Sequence, residues 1–263
     1  MRAILSRADD CGSSHAANQA ILEALDAGFV KNVSVMACGE YLEEAAEMLS
    51  GRKEICFGLH GCINSEWDRV VWGPVAPREK VPSLIDDRGV FFQSPEKLAA
   101  QNPILEEIVT EYKYQLERAR NVGFEILYMD SHMFPENFIP GLREAMSRLI
   151  KEEGLVDHKW YNKIIPGNDQ FASDASLFKQ TLSQIEGSYL LVMHPAKYGK
   201  EMLLTGNEHF SGETVAQARE RDYRFLTNQD YARMCEENKV KLLRYDEAEA
   251  IRVRSQDFIK QPG

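Results

Sequence analysis

The chain lacks an organised cysteine pattern. Its five cysteines, Cys11, Cys38, Cys56, Cys62 and Cys235, are odd in number and form no CxxC pair, which suggests neither a disulfide framework nor a cysteine-rich zinc site. No apolar run is long enough to span a bilayer, and the start Met1-Arg2-Ala3-Ile4-Leu5-Ser6-Arg7-Ala8 has no secretory h-region. The expectation is a cytoplasmic protein without a membrane partner. Basic charge is also scarce: 31 Lys and Arg stand against 41 Asp and Glu, a formal net charge of −10. A net anion has no long-range attraction for nucleic acid or an anionic membrane. Small molecules and neutral polymers are therefore the expected ligands.

What the 263 residues do have is enough apolar sequence, 44%, to bury a large core. No linker or internal repeat divides them, and the chain is read as a single domain over 1–263. Arg2 to Ala8 reads as a buried strand running into Asp9-Asp10. Ala16, Ala17, Ala20, Ile21, Ala24 and Leu25 then recur at helical spacing up to Gly28. The alternation continues with strands predicted at Val33 to Met36, Ile55 to Leu59, Phe124 to Met129, Lys163 to Ile165, Tyr189 to Met193 and Val240 to Tyr245. Helices are predicted at Tyr41 to Leu49, Ile104 to Val122, Gly141 to Lys151, Ala175 to Ile185, Val215 to Leu226 and Asn228 to Glu237, with a tail helix. About seven strands separated by helices predict an α/β fold on a parallel sheet, closed into a barrel or doubly wound. Residues 61–101, rich in Pro and Gly, form a long insertion, and Trp67, Trp72, Phe91 and Phe92 within it predict an ordered loop. A second candidate loop is Lys197 to Gly212.

Four predicted strands run into polar groups: Asp9-Asp10, His60, Asp130-Ser131-His132 and His194. Active sites of β/α barrels are built from the C-terminal ends of different strands. These residues are too far apart in sequence for a local metal motif such as HExxH, so only the fold could unite them. Each has a structural reading too. Asp9-Asp10 could cap the following helix, a task open to Ser13 and Ser14 as well, and a strand-end His is often simply hydrogen-bonded. His15, His158 and His209 fall outside the register and read as surface or capping residues. Trp67 and Trp72 read equally as core anchors or as platforms for sugar faces. Lys197, Lys200 and Arg219 could receive a phosphate, although solvated charge is the plainer reading.

Ala8-Asp9-Asp10-Cys11-Gly12, Gly58-Leu59-His60, Asp130-Ser131-His132 and His194-Pro195-Ala196 occur in this order over nearly the whole chain. The set resembles the YdjC-like (ChbG) carbohydrate deacetylase family, which is related to the NodB-type polysaccharide deacetylases. The stretch from Thr227-Asn228-Gln229 to Tyr245 is similar to the family's C-terminal helix and strand. The resemblance implies a distorted, incomplete (β/α) barrel of about seven parallel strands. It also implies Asp10, His60 and His132 as metal ligands, Asp9 as general base, His194 as general acid, and a homodimer. The chain departs from the family where Cys11 replaces a usual Phe, Phe134 a frequent His, and Ala196 a usual Gly.

The residue types suit that chemistry. Two imidazoles and a carboxylate leave open positions on a divalent metal, where water loses a proton more easily and an amide oxygen is polarised. Asp130 could accept the ring N–H of a ligand histidine and fix its tautomer. Such ligands suit several ions; the resemblance implies magnesium, with zinc the alternative. The predicted function is metal-dependent removal of acetyl from N-acetylated sugars, short chitin-type oligosaccharides in particular. Alternatives are a glycosidase acting on a phosphorylated disaccharide, for which no clear second carboxylate stands out, and a non-catalytic sugar-binding protein.

Overall fold

The computed structural model describes residues 1–259, with side chains through residue 254 apart from that of Ala175. Strand β1 (Ala3–Cys11), helix α1 (His15–Asp26), β2 (Asn32–Val35), α2 (Leu42–Leu49) and β3 (Cys56–Gly61) open the chain. A long connection carrying the short α3 (Pro95–Ala99) leads to α4 (Leu105–Asn121), β4 (Ile126–Ser131), α5 (Leu142–Glu152) and β5 (Val156–Asp157). Then come α6 (Asn168–Phe171), α7 (Ala175–Gln184), β6 (Ser188–Met193), α8 (Gly212–Leu226), α9 (Asp230–Glu237), β7 (Lys241–Leu242) and α10 (Tyr245–Ile259). All strand pairs are parallel, in the order β5-β4-β3-β2-β1-β6, and β7 pairs with the start of β1. The architecture is an α/β half-barrel with helices packed around it. No helix among the described residues is long and apolar enough to cross a membrane.

Side chains alternate across a pleated strand, and here the alternation separates two cores. Ile4 and Ala8 of β1, Phe57 and Leu59 of β3 and Leu191 and Met193 of β6 face the larger apolar core with the helices. Ala3 and Leu5, Cys56, Tyr128 and Leu190 face inward, where Tyr245 of α10 stacks on Tyr128 at 4.1 Å between ring centroids. The same inward register carries Arg7, Asp9, His60 and Asp130 further along β1, β3 and β4. The inside of the half-barrel therefore grades from apolar at one end to charged at the other.

Three elements differ from the sequence expectation. β1 runs on through Cys11, so Asp9 and Asp10 lie within it, and α1 is capped instead by Ser14, whose hydroxyl accepts from the Ala17 N–H at 3.0 Å. The strand expected at Lys163 to Ile165 is one isolated bridge, Ile164 to Leu190, while the sheet's edge is the two-residue β5, half-buried and without an apolar run to mark it. The last strand is Lys241–Leu242 alone, because Tyr245 already opens α10, its N–H bound by Asn32 Oδ1 at 2.9 Å. The 61–101 connection is anchored, with Trp72 and Phe91 buried and the buried Glu111 carboxylate accepting from the Val75 and Ala76 N–H groups.

Gly58 on β3 faces the ring of the fully buried Tyr128, which a Cβ at that position would overlap. Overpacking a dense core typically costs about 1–3 kcal/mol, and Tyr128 has no free space to yield into. Gly58→Ala is expected to lower stability by roughly that amount in urea denaturation; an unchanged midpoint would contradict the packing described.

Candidate metal centre and active site

The site begins with a bulge. Ala8 and Cys11 of β1, three residues apart, pair with Val33 and Val35 of β2, two apart. One extra residue is thus inserted, and Asp10 takes it up in the left-handed region with φ 66°. A regular strand would send neighbouring side chains to opposite faces. The bulge instead lets adjacent Asp9 and Asp10 serve the same end of the barrel. For a residue other than glycine this conformation costs roughly 1–2 kcal/mol, a strain typical of functional positions.

Asp10 Oδ1 lies 3.6 Å from His60 Nε2 and 3.7 Å from His132 Nδ1, and the two ring nitrogens are 3.2 Å apart. Four-coordinate ligands at about 2.0–2.2 Å from an ion subtend roughly these separations. Asp10 Oδ1 is buried and has no hydrogen-bond partner among the described residues, a costly state unless something occupies the space before it. The donor set therefore fits a divalent cation. A second cluster, Asp9, His60 and Asp130, fits less well, since Arg7 and the His60–Asp130 hydrogen bond already take up its carboxylates.

The other nitrogen of each imidazole meets a carboxylate. His60 Nδ1 is 2.6 Å from Asp130 Oδ1, a contact set by the β3–β4 register that pairs the two residues. His132 Nε2 is 2.9 Å from Glu66 Oε2. With those nitrogens donating, the neutral form of each ring turns a lone pair inward, the form that an ion would take. Burial opposes the charged form of both rings, yet Asp130 and Asp9 raise the His60 pKa, and Glu66 above all lifts His132 to about 10. Burial likewise opposes ionised Asp10, but Arg219, His132 and His60 hold its pKa below the usual range. Arg219 Nη2 lies 3.1 Å from Asp10 Oδ2, which leaves Oδ1 as the oxygen free to face an ion.

Behind these groups sits Arg7. Its guanidinium pairs with both oxygens of Asp9 at 2.6 and 2.7 Å and with Asp130 Oδ2 at 2.7 Å. Glu66, Arg7 and Arg219 are functional neighbours that sequence reasoning did not single out in these roles. An Arg among buried strand positions was a signal for Arg7, whereas Glu66 sits in the irregular insertion and carried none.

His194 follows β6 and is 37% exposed, with Nε2 3.9 Å from Asp9 Oδ2 and its backbone N–H donating to Asp222 Oδ2 at 2.9 Å. Two cavities, of about 520 and 540 Å³, meet over this floor, both lined by Glu66, Trp67, His194 and Arg219. Trp67 is partly exposed between them. Trp72 lines the first cavity but is mostly an anchor, buried with Nε1 donating to the Asn64 carbonyl at 2.6 Å. Asp9, Asp10, His60, Asp130, His132, His194 and Trp67 are thus brought together. His15 and His209 are exposed, while His158 is buried near Glu136, contrary to a surface reading. Lys197 pairs with Glu23, and Arg219 faces the site rather than solvent.

The family model for YdjC-like proteins matches residues 3–237. The chain belongs to this family. A carbohydrate deacetylase of Thermoanaerobacter pseudethanolicus is 25% identical over 264 residues, covering 93% of this chain and 98% of the relative. One from Oceanobacillus iheyensis is 24% identical over 217 residues, 78% of this chain and 90% of the relative. The crystal structure of an Enterococcus faecalis protein, described in terms of cellobiose-phosphate cleavage, superposes with a TM-score of 0.76 at 20% identity, covering 94% of this chain and 98% of that one. It shares the YdjC-like half-barrel.

Burial pushes the Asp222 carboxyl up to about 6, with Arg219 and Arg221 pulling it down and Asp169 adding to the rise. A carboxyl raised in the folded state costs stability above that pKa, and the cost fades as pH falls toward the unfolded value near 4. Asp222→Asn is therefore expected to stabilise the chain by on the order of 1–2 kcal/mol at pH 7.5, with little gain at pH 4. Urea denaturation at both values checks this; an equal gain at each would contradict it.

Proposed function

We propose that this chain is a metal-dependent carbohydrate deacetylase that hydrolyses the acetamide of N-acetylated sugars, short chitin-type oligosaccharides in particular, during oligosaccharide degradation. The observation that carries the reading is the Asp10–His60–His132 donor set, with its unpartnered buried oxygen, on the floor shared by two open cavities. Relatives named carbohydrate deacetylase across nearly the full chain support the sugar. Asp10, His60 and His132 would hold the cation, which when bound supplies Lewis acidity for the acetamide carbonyl and for water. Magnesium is the ion implied by the resemblance, and zinc the one to which two imidazoles are also suited.

The chain's own residues do the rest. Asp9, its carboxylate fixed by Arg7, accepts the proton of the attacking water, and His194 across from it donates one to the leaving amine. Glu66 and Asp130 hold the two imidazoles in the ligating tautomer. Arg219 keeps Asp10 from turning both oxygens inward. Trp67, between the cavities, offers a ring to a sugar face. The lysines and arginines lining the two cavities are Arg7, Arg118 and Arg219, each paired with a carboxylate of the chain. Among the described residues no cation is thus held in reserve there for a phosphate, which favours an unphosphorylated sugar.

Acetate release from N,N′-diacetylchitobiose tests the reading. It is expected to vanish on chelation and return with magnesium or zinc; equal release without metal, or none with it, would contradict the proposal. Asp10→Ala and His132→Ala should lose bound metal and acetate release together. Asp9→Asn should keep metal and lose roughly 10²–10⁴-fold in turnover, as read by metal analysis beside steady-state kinetics. Glu66→Gln should weaken metal binding about 10–100-fold, measured by titration calorimetry.

A further inference from the structure

The second cavity has a wall that the deacetylation chemistry leaves unused. Met133, Phe134, Ile164 and Phe210 line it with relative exposures of 42, 43, 43 and 56%. They come from three separate stretches of chain and share the cavity with His60, His132, His194 and Asp9. Large apolar side chains this exposed and gathered at one place mark a binding surface rather than leftover core.

The wall is also held in place. Met133 and Phe134 both lie in the left-handed region, at φ 57° and 52°, directly after His132. Met133 Sδ accepts from Asn64 Nδ2 at 3.1 Å. Phe210 sits in a turn whose Asn207 Oδ1 accepts from the Phe210 N–H at 3.0 Å, while Asn207 Nδ2 donates to the Glu66 carbonyl at 3.1 Å. The Asp68 N–H donates to the Gly206 carbonyl at 2.8 Å, tying the same turn to the insertion. Backbone strain and loop-to-loop bonds thus present Phe134 and Phe210 at fixed positions beside the metal ligands.

The lining is mixed, with Asn168, Asp169 and Asn207 among the apolar groups. A pocket for a long acyl chain would be apolar throughout. Aromatic faces beside amides and carboxylates suit a ring that has a C–H face and a hydroxyl rim. Resting on the deacetylase reading, we propose that Phe134 and Phe210 form the platform for a second sugar ring, next to the ring whose acetamide reaches the metal centre. The preferred substrate is then at least a disaccharide that occupies both cavities.

The test uses the metal-loaded full chain and the Phe134→Ala/Phe210→Ala double variant. Acetate release is measured from N-acetylglucosamine and from N,N′-diacetylchitobiose, and binding of the disaccharide is measured separately by calorimetry. The wild type is expected to prefer the disaccharide in kcat/KM by at least about 10-fold, a span within reach of one ring's contacts. The variant should lose about 10-fold of that ratio, chiefly through KM, and bind the disaccharide correspondingly weaker. A variant that keeps the preference, or binds the disaccharide as the wild type does, overturns the platform. If the wild type binds the disaccharide but releases no acetate from either sugar, the deacetylase reading fails, and weaker binding by the variant still supports the platform. No binding by the wild type overturns both. Both side chains are exposed, so melting curves should show folded variant throughout.

Discussion

The site depends first on one buried guanidinium. Arg7 is 2% exposed and stands between Asp9 and Asp130 inside the half-barrel. Removing a charge from water costs several kcal/mol unless it is paired and hydrogen-bonded, and these two carboxylates with the Tyr245 hydroxyl satisfy that demand. The charges sustain one another: Asp130 is held well below the usual carboxylate range by Arg7 and His60 against the effect of burial. From Asp130 the constraint passes to the His60 ring and so to the face that His60 turns toward Asp10 and His132. It also fixes Asp9, whose Oδ2 lies 3.9 Å from His194 Nε2. One side chain thereby aligns both a proposed metal ligand and the proposed base. Truncating it would strip Asp9 of its guanidinium partner and leave Asp130 with its bonds to His60 and Ser34 alone.

The division of labour follows from stability. Strands β1, β3, β4 and β6 are paired along their length and place the charged groups with little freedom. The two long connections, 61–101 and 197–212, build the cavity walls above them, where a barrel keeps its variable surfaces. They are not loose covers. Glu66 reaches down to His132, its own backbone carbonyl is bound by Asn207, and Trp72 is sunk beneath it. The cavity wall is therefore coupled to the His132 imidazole that it helps orient.

Much of this was legible in the sequence because strand periodicity and strand ends are local signals. Asp9-Asp10, His60, Asp130-Ser131-His132 and His194 each stand where an apolar run stops, and a parallel sheet puts such stops at one end. The bulge that turns Asp10 was not legible, since it depends on how β1 pairs with β2. Glu66 was hidden because its role comes from an irregular loop crossing the barrel mouth. Arg219, on α8, was visible only as a charge that could receive a phosphate or be solvated, and its contact with Asp10 spans most of the chain. β5 escaped notice because two half-buried residues make no pattern, whereas the apolar residues at 164 and 165 marked only the single bridge to Leu190. Trp72 was open between anchor and platform, and the burial of its indole N–H against Asn64 decides largely for anchor.

The central claim is that Asp10, His60 and His132 together hold one divalent ion. Anomalous diffraction from crystals grown with manganese or zinc locates such an ion directly. The account predicts one strong peak per chain within coordination distance of Asp10 Oδ1, His60 Nε2 and His132 Nδ1. A peak among Asp9, His60 Nδ1 and Asp130 instead, or no peak at this end of the barrel at saturating metal, would contradict it.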